Sequence, residues 1–132
     1  MTTLFTKIIA GDIPCHRIHE NDLFFSFLDI RPISDGHTLV IPKIEVDHFF
    51  DMPDKYLSDI LHFSKPIVAA LEAVFPCQRV GTMVAGLEVP HAHMHLVPIV
   101  DMSTFGFEHA KEANHDTLAK HAEQIRQALL NT

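Results

Sequence analysis

Residues 91–97 read HAHMHLV, with three histidines at every second position and an apolar side chain in each gap. On a strand, successive side chains point to opposite faces, so His91, His93 and His95 share one face while Ala92, Met94 and Leu96 share the other. On a helix, positions two apart diverge by ~200° and the histidines would scatter. The stretch HAHMHLVPI therefore reads as a strand whose histidine face is polar and available and whose apolar face packs against a helix.

Working outward, RVGTMVA is a second strand on the N-terminal side, with Gly86 turning between the two. CHRIHE and LFFSFLD are strand-like runs separated by Asn21-Asp22, which suits a tight hairpin. HTLVIPK follows the loop RPISDG as a further strand. Thr3 can cap a short helix, LFTKIIA, that stops at Gly11 with Pro14 close behind. Residues 53–75 place Tyr56, Ile60, Phe63, Ile67, Leu71 and Val74 at helical spacing, and Pro66 inside that pattern predicts a kink or break near residues 62–65. From Asp116 onward, Leu118, Ala122, Ile125 and Leu129 mark another amphipathic helix. These elements make an α+β fold: an antiparallel sheet of about five strands with one main helix, a short N-terminal helix and a C-terminal helix.

A length of 132 residues suits one domain, 1–132, large enough to bury a core. Hydrophobic residues at 47% and charged residues at 20% are globular proportions. No N-terminal signal peptide is apparent, and no run approaches the ~20 apolar residues of a membrane span. Cys15 and Cys77 form no metal-type pair, so a reduced, cytoplasmic setting is the default. The net charge of −7 argues against a general nucleic-acid binder, because such a surface repels phosphate backbones. It leaves room for a small anionic ligand held by local donors, and the chain's 11 histidines supply candidates.

Three chemistries fit the histidine row. It can be a solvated, hydrogen-bonded face with no special task. It can bind a metal, although alternate strand positions lie ~6.6 Å apart, so the outer pair is ~13 Å apart. Zinc needs donor atoms only ~3.3 Å from each other, so all three rings on one ion would bend the strand badly; two rings plus an outside ligand remain feasible. The third possibility is catalysis, since a neutral imidazole oriented through one nitrogen is a competent nucleophile with the other. Neighbouring imidazoles could then steer it, stabilise a transferring phosphoryl group and protonate a leaving group.

The stretch GLEVPHAHMHLVP resembles the signature of the histidine triad superfamily, in which three histidines alternate with apolar residues and two more apolar residues follow. LFTKIIAGDIP is similar to that family's opening helix and turn, and FLDIRPISDGHTLVIPK to its central strand pair. The resemblance covers roughly residues 3–100; the tail, 101–132, lies outside it. It implies the histidine triad fold and a nucleotide hydrolase or transferase acting at a nucleoside α-phosphate, without catalytic metal or cofactor. It implies His93 as nucleophile, His95 at the phosphate and departing group, and His91 and His37 as a supporting network. Asp29 would accept from the ribose hydroxyls, and Leu4, Phe5, Ile8 and Ile30 would form an apolar slot for the base. A homodimer that joins two five-stranded sheets is the implied assembly.

Plainer readings exist for several of these residues. Phe5 and Ile8 lie on an apolar helix face and suit ordinary core, Asp29 could hold a turn, and His37 could serve the loop before it. Departures from the family pattern bear on substrate. Leu87-Glu88 stand where many relatives carry glutamine and a hydroxyl residue; an ionised Glu88 can only accept hydrogen bonds and would favour an amine over a polyanionic leaving group. The asparagine common in relatives just upstream is missing from Val80-Gly81-Thr82-Met83. Thr3, Thr6 and Glu45 occupy the places where some relatives bind a structural zinc. The remaining histidines (16, 19, 48, 62, 109, 115 and 121) read as mostly solvated, with His109 and His115 in a tail that reaches a partner's pocket in some relatives. Two alternatives to the enzyme stay in view: a nucleotide-binding regulatory module with little or no catalysis, and a metal-binding protein.

Overall fold

The computed structural model describes residues 2–131. Met1 and Thr132, the ends of the predicted domain, lie outside them. The expected elements appear: α1 (Leu4–Ile9), β1 (Arg17–Glu20), β2 (Phe24–Leu28), β3 (Thr38–Pro42), α2 (Asp54–Val74), β4 (Arg79–Met83), β5 (Met94–Ile99) and α3 (His115–Leu130). The strands form one antiparallel sheet in the order β1-β2-β3-β5-β4.

Strand periodicity divides the apolar side chains between the two faces of this sheet. Ile18, Phe24, Val40, Met94 and Leu96 pack with Ile60, Ile67 and Leu71 of α2 and with Leu118 and Ile125 of α3. Phe25, Phe27, Leu39 and Ile41 point the other way and meet Phe5 and Ile8 of α1. All five residues of β2 are therefore buried, because helices cover both of its faces. The hairpin before β2 is tied by Asn21, whose side-chain oxygen accepts from the N–H groups of Leu23 and Phe24.

The structure decides two local expectations: no break occurs near residues 62–65, and the last strand starts later than expected. The main helix runs unbroken from Asp54 to Val74 through Pro66. Pro66 removes only the bond to the carbonyl of His62, an exposed residue whose backbone oxygen water can reach. The last strand begins at Met94, so of the three histidines only His95 lies within it. The cause is Pro42. Continuing the β3–β5 register beyond Val40↔Met94 would pair Ala92 with Pro42, whose nitrogen carries no proton. Ala92 instead donates its N–H to Val46 O at 2.6 Å, and Pro42 O accepts from the His91 ring. The alternation of faces nevertheless persists through residues 91–93, with Ala92 in the helix-side core and the histidines on the α1 side.

The loop before β3 turns at Gly36, which has φ +91°. A Cβ there would sit 2.6 Å from the Phe75 ring, so conformation and space both demand glycine. Gly36→Ala is expected to destabilise the protein by about 2 kcal/mol or more, read from urea denaturation midpoints; an unchanged midpoint would contradict this account of the turn.

Candidate active site

Four histidines converge where β5 meets the loop into β3, and all four are buried: His37, His91, His93 and His95. The histidine face expected to be available is closed over because α1 lies across it. The Phe5 ring stands perpendicular to His93 at a centroid distance of 5.3 Å and edge-on to His91 at 5.7 Å.

Among the described residues every fully buried ring nitrogen has a partner, and several of those partners can act in only one direction. That settles the tautomers. The Ile33 N–H lies 2.9 Å from His37 Nδ1 and can only donate, so the His37 proton resides on Nε2. His37 Nε2 is 2.9 Å from His95 Nδ1 and donates to it. A neutral His95 must then carry its own proton on Nε2. Burial, followed by the neighbouring His95 ring, pushes His37 down to about 3; burial and then His93 push His95 down to about 4. Both rings are therefore neutral near pH 7, and His95 presents an N–H donor.

The second chain of bonds runs through His91. Its Nε2 lies 2.8 Å from the carbonyl of Pro42, an acceptor only, so Nε2 holds the proton. Its Nδ1 accepts from the Thr3 hydroxyl at 2.7 Å. Burial lowers the pKa of His91, which favours this neutral form. His93 Nδ1 in turn donates to the backbone carbonyl of His91 at 2.8 Å. A neutral His93 is thereby left with a free lone pair on Nε2, the geometry a nucleophilic imidazole requires. The His93 and His95 rings meet edge-to-face at 5.1 Å, and a cavity of about 50 Å³ between residues 47–49 and 84–86 reaches His93 but none of the other site residues.

Asp29 sits at the rim. One carboxylate oxygen accepts from the Arg31 N–H at 2.9 Å, holding a turn as the plainer reading supposed, and the other lies 3.7 Å from His37 Nε2. Burial pushes its pKa up, and the carboxylate of the exposed Glu88 adds to that rise. The apolar set divides: Phe5 and Ile8 are buried, whereas Leu4 and Ile30 are 46% and 50% exposed and so open to a ligand.

Asp29, His37 and His95 place one donor atom each within 4.8 Å of one another, a spacing that suggests a metal site. The tautomers argue against it. A metal on His37 Nε2 would displace the proton to Nδ1, where it would face the Ile33 N–H. The zinc ligand positions of some relatives also gather here, as hydrogen bonds: Thr3 donates its N–H to Glu45 at 3.2 Å and its hydroxyl to His91. Hydroxyls are poor zinc ligands beside thiolates and imidazoles, and both His91 nitrogens are committed. These residues do not fit zinc.

Three features escaped the sequence reading. Thr3, a helix cap at a position where some relatives bind zinc, gives no sequence sign of its bond to His91. The Ile33 N–H carries no side-chain signal. Phe107, in the tail, lies edge-to-face against His95 at 4.9 Å; its segment is tied down by Lys111 N–H to Pro32 O at 3.2 Å and Ala113 N–H to Ile30 O at 3.1 Å. None of the other seven histidines is buried, and His48, His62 and His115 are exposed; His16 nevertheless bonds to His115 at 3.1 Å, His19 stacks on Phe63, and His121 meets Phe75.

Comparison with known proteins agrees with this architecture. The family model for the HIT domain matches residues 10–102. An adenosine 5'-monophosphoramidase of Candida albicans is 36% identical, covering 96% of this chain and 90% of that protein. An HIT-like protein of Borreliella burgdorferi is 36% identical, covering 84% of this chain and 85% of its own length. Among solved structures, a zinc-bound histidine triad family protein from Mycobacterium smegmatis superposes with a TM-score of 0.85 at 27% identity, covering 99% of this chain and 95% of that one. Taken with the four-histidine cluster, the matched domain and the identity shared along most of the chain show that this protein belongs to the histidine triad (HIT) family.

Proposed function

We propose that this protein is a nucleotide hydrolase of the phosphoramidase type, acting at a nucleoside α-phosphate through a nucleotidyl-histidine intermediate on His93. The observation that carries the reading is the hydrogen bond from His93 Nδ1 to the His91 carbonyl, which leaves Nε2 free to attack. In the first step a bond forms from Nε2 to phosphorus and the bond to the leaving group breaks. The electron pair stays with the leaving group, which takes up one proton. Water then hydrolyses the phosphorus–nitrogen bond to the enzyme, releasing one proton and restoring His93. His95, with Nδ1 occupied by His37, directs its Nε2–H to the phosphoryl oxygens and the departing atom. Asp29 accepts from the ribose, and Leu4 and Ile30 flank the base beside Phe5 and Ile8.

Glu88 points to the leaving group. Its charge near Asp29 repels pyrophosphate-like groups and tolerates an amine, and the family's phosphoramidases are relatives of this chain. The same charge is what a regulatory nucleotide-binding module would tolerate, and turnover separates the two readings. The assembly we propose is a homodimer built on the outer edge of β4, beside an open groove of about 240 Å³ between α2 and β4. Among the described residues no helix is long and apolar enough to cross a membrane.

His93→Ala is expected to lower turnover of a nucleoside phosphoramidate by about 10³-fold or more while the protein stays folded by circular dichroism. Undiminished turnover would sink the enzyme reading, and tight nucleotide binding without turnover by the unaltered protein would favour the regulatory one. Glu88→Ser is expected to improve kcat/KM for pyrophosphate leaving groups relative to amines; an unchanged ratio would remove Glu88 from substrate selection. Stability should also fall on acidification. The unfolded chain protonates His37 and His95 near pH 6.5, whereas the folded chain keeps them neutral to about 3 and about 4. The unfolded state therefore binds more protons between these values, and each histidine contributes a loss of up to about 1.4 kcal/mol per pH unit as pH falls through that window. Melting temperatures measured from pH 7 to 4.5 should drop accordingly, and less steeply in His37→Gln.

A further inference from the structure

We propose that Thr3, the N-cap of α1, is a positioning residue for His93 that acts through the buried ring of His91; this rests on the reading of His93 as the nucleophile. The Thr3 hydroxyl has one proton and two lone pairs. One lone pair accepts from the Thr6 N–H at 3.0 Å, which caps the helix. The proton goes to His91 Nδ1 at 2.7 Å rather than to the Thr6 hydroxyl at 3.0 Å, because the other His91 nitrogen has already given its proton to Pro42 O and Nδ1 can only accept. A neutral His91 ring at 0% exposure thus has two polar partners, one a strand-end carbonyl and the other a helix-cap hydroxyl.

Thr3 is itself held in place from a further direction. Its N–H donates to the Glu45 carboxylate, and hydrogen bonds from Thr6 and Thr3 hold Glu45 below the usual carboxylate range. The His91 ring is therefore clamped between α1, the end of β3 and the residues just beyond it. The backbone carbonyl of the same residue receives the His93 proton, and Phe5, two positions along from Thr3, packs on both rings. The start of α1 fixes His91, and His91 fixes which nitrogen of His93 is free. Thr3 therefore acts on the reacting nitrogen only through His91.

Three variants separate the brace from the helix cap. Thr3→Ser keeps both roles, Thr3→Val loses both, and Thr3→Asp keeps a cap acceptor for the Thr6 N–H while giving His91 Nδ1 no donor. Steady-state kinetics with a nucleoside phosphoramidate are expected to show kcat falling about 10-fold or more in Thr3→Val and Thr3→Asp, with KM little changed and Thr3→Ser near the unaltered protein. Nitrogen-15 spectra of the ring nitrogens should place the proton on Nε2 of His91 and on Nδ1 of His93, with the His93 signals displaced in Thr3→Val. Unaltered kcat in Thr3→Val and Thr3→Asp, alongside an inactive His93→Ala, would overturn the proposal and leave the function standing. Should His93→Ala stay active, the function reading falls instead. The spectra then decide the brace alone: His93 signals unmoved by Thr3→Val, or a His91 proton on Nδ1, would overturn it.

Discussion

The proton on His93 Nδ1 is given to the backbone carbonyl of His91, and most of the site follows from that bond. A backbone carbonyl cannot donate, so the direction is set by chemistry rather than by a choice among tautomers. The same logic applies twice more, at Pro42 O and at the Ile33 N–H. Three backbone groups, each able to act in one sense only, orient His91, His93, His37 and, through His37, His95. Side chains carry the chemistry here, but the main chain decides which nitrogen is free.

That arrangement requires the strand to end where it does. Had β5 kept its register with β3 beyond Met94, Ala92 would have paired with Pro42. Pro42 prevents this by lacking an N–H, and the freed Pro42 carbonyl becomes a ring acceptor instead. A proline at a strand end thus gives the buried His91 ring a backbone acceptor. Burial then does the electrostatic work. Desolvation holds His37, His91 and His95 in their neutral forms, in which a ring can donate and accept at the same time.

The period-two and helical patterns carried the fold: both faces of the sheet and all three helices were legible because burial imposes that spacing on apolar residues. Pro66 does not break α2, because a proline in a long helix costs one bond, and an exposed turn can lose it to water. At the site, the alternation placed the histidines on one face, and the family pattern suggested their roles. Their burial could not be read from the row itself, since it depends on Phe5, some 90 residues away in sequence and brought over by α1. Phe107 was invisible for a related reason: the tail has little periodicity, and its position is set by backbone bonds to residues 30 and 32. Thr3 and Ile33 act through groups that many residues possess, so neither announces itself in sequence.

The central claim is that Nε2 of His93 forms a covalent bond to phosphorus. Intact-mass measurement after rapid quenching of the protein with a nucleoside phosphoramidate, followed by peptide mapping, tests it directly. The account predicts an added nucleoside monophosphate on the peptide that contains residues 91–97, localised to His93 and absent from His93→Ala. Turnover without any adduct under conditions where hydrolysis is the slow step, or an adduct on another residue, would contradict it.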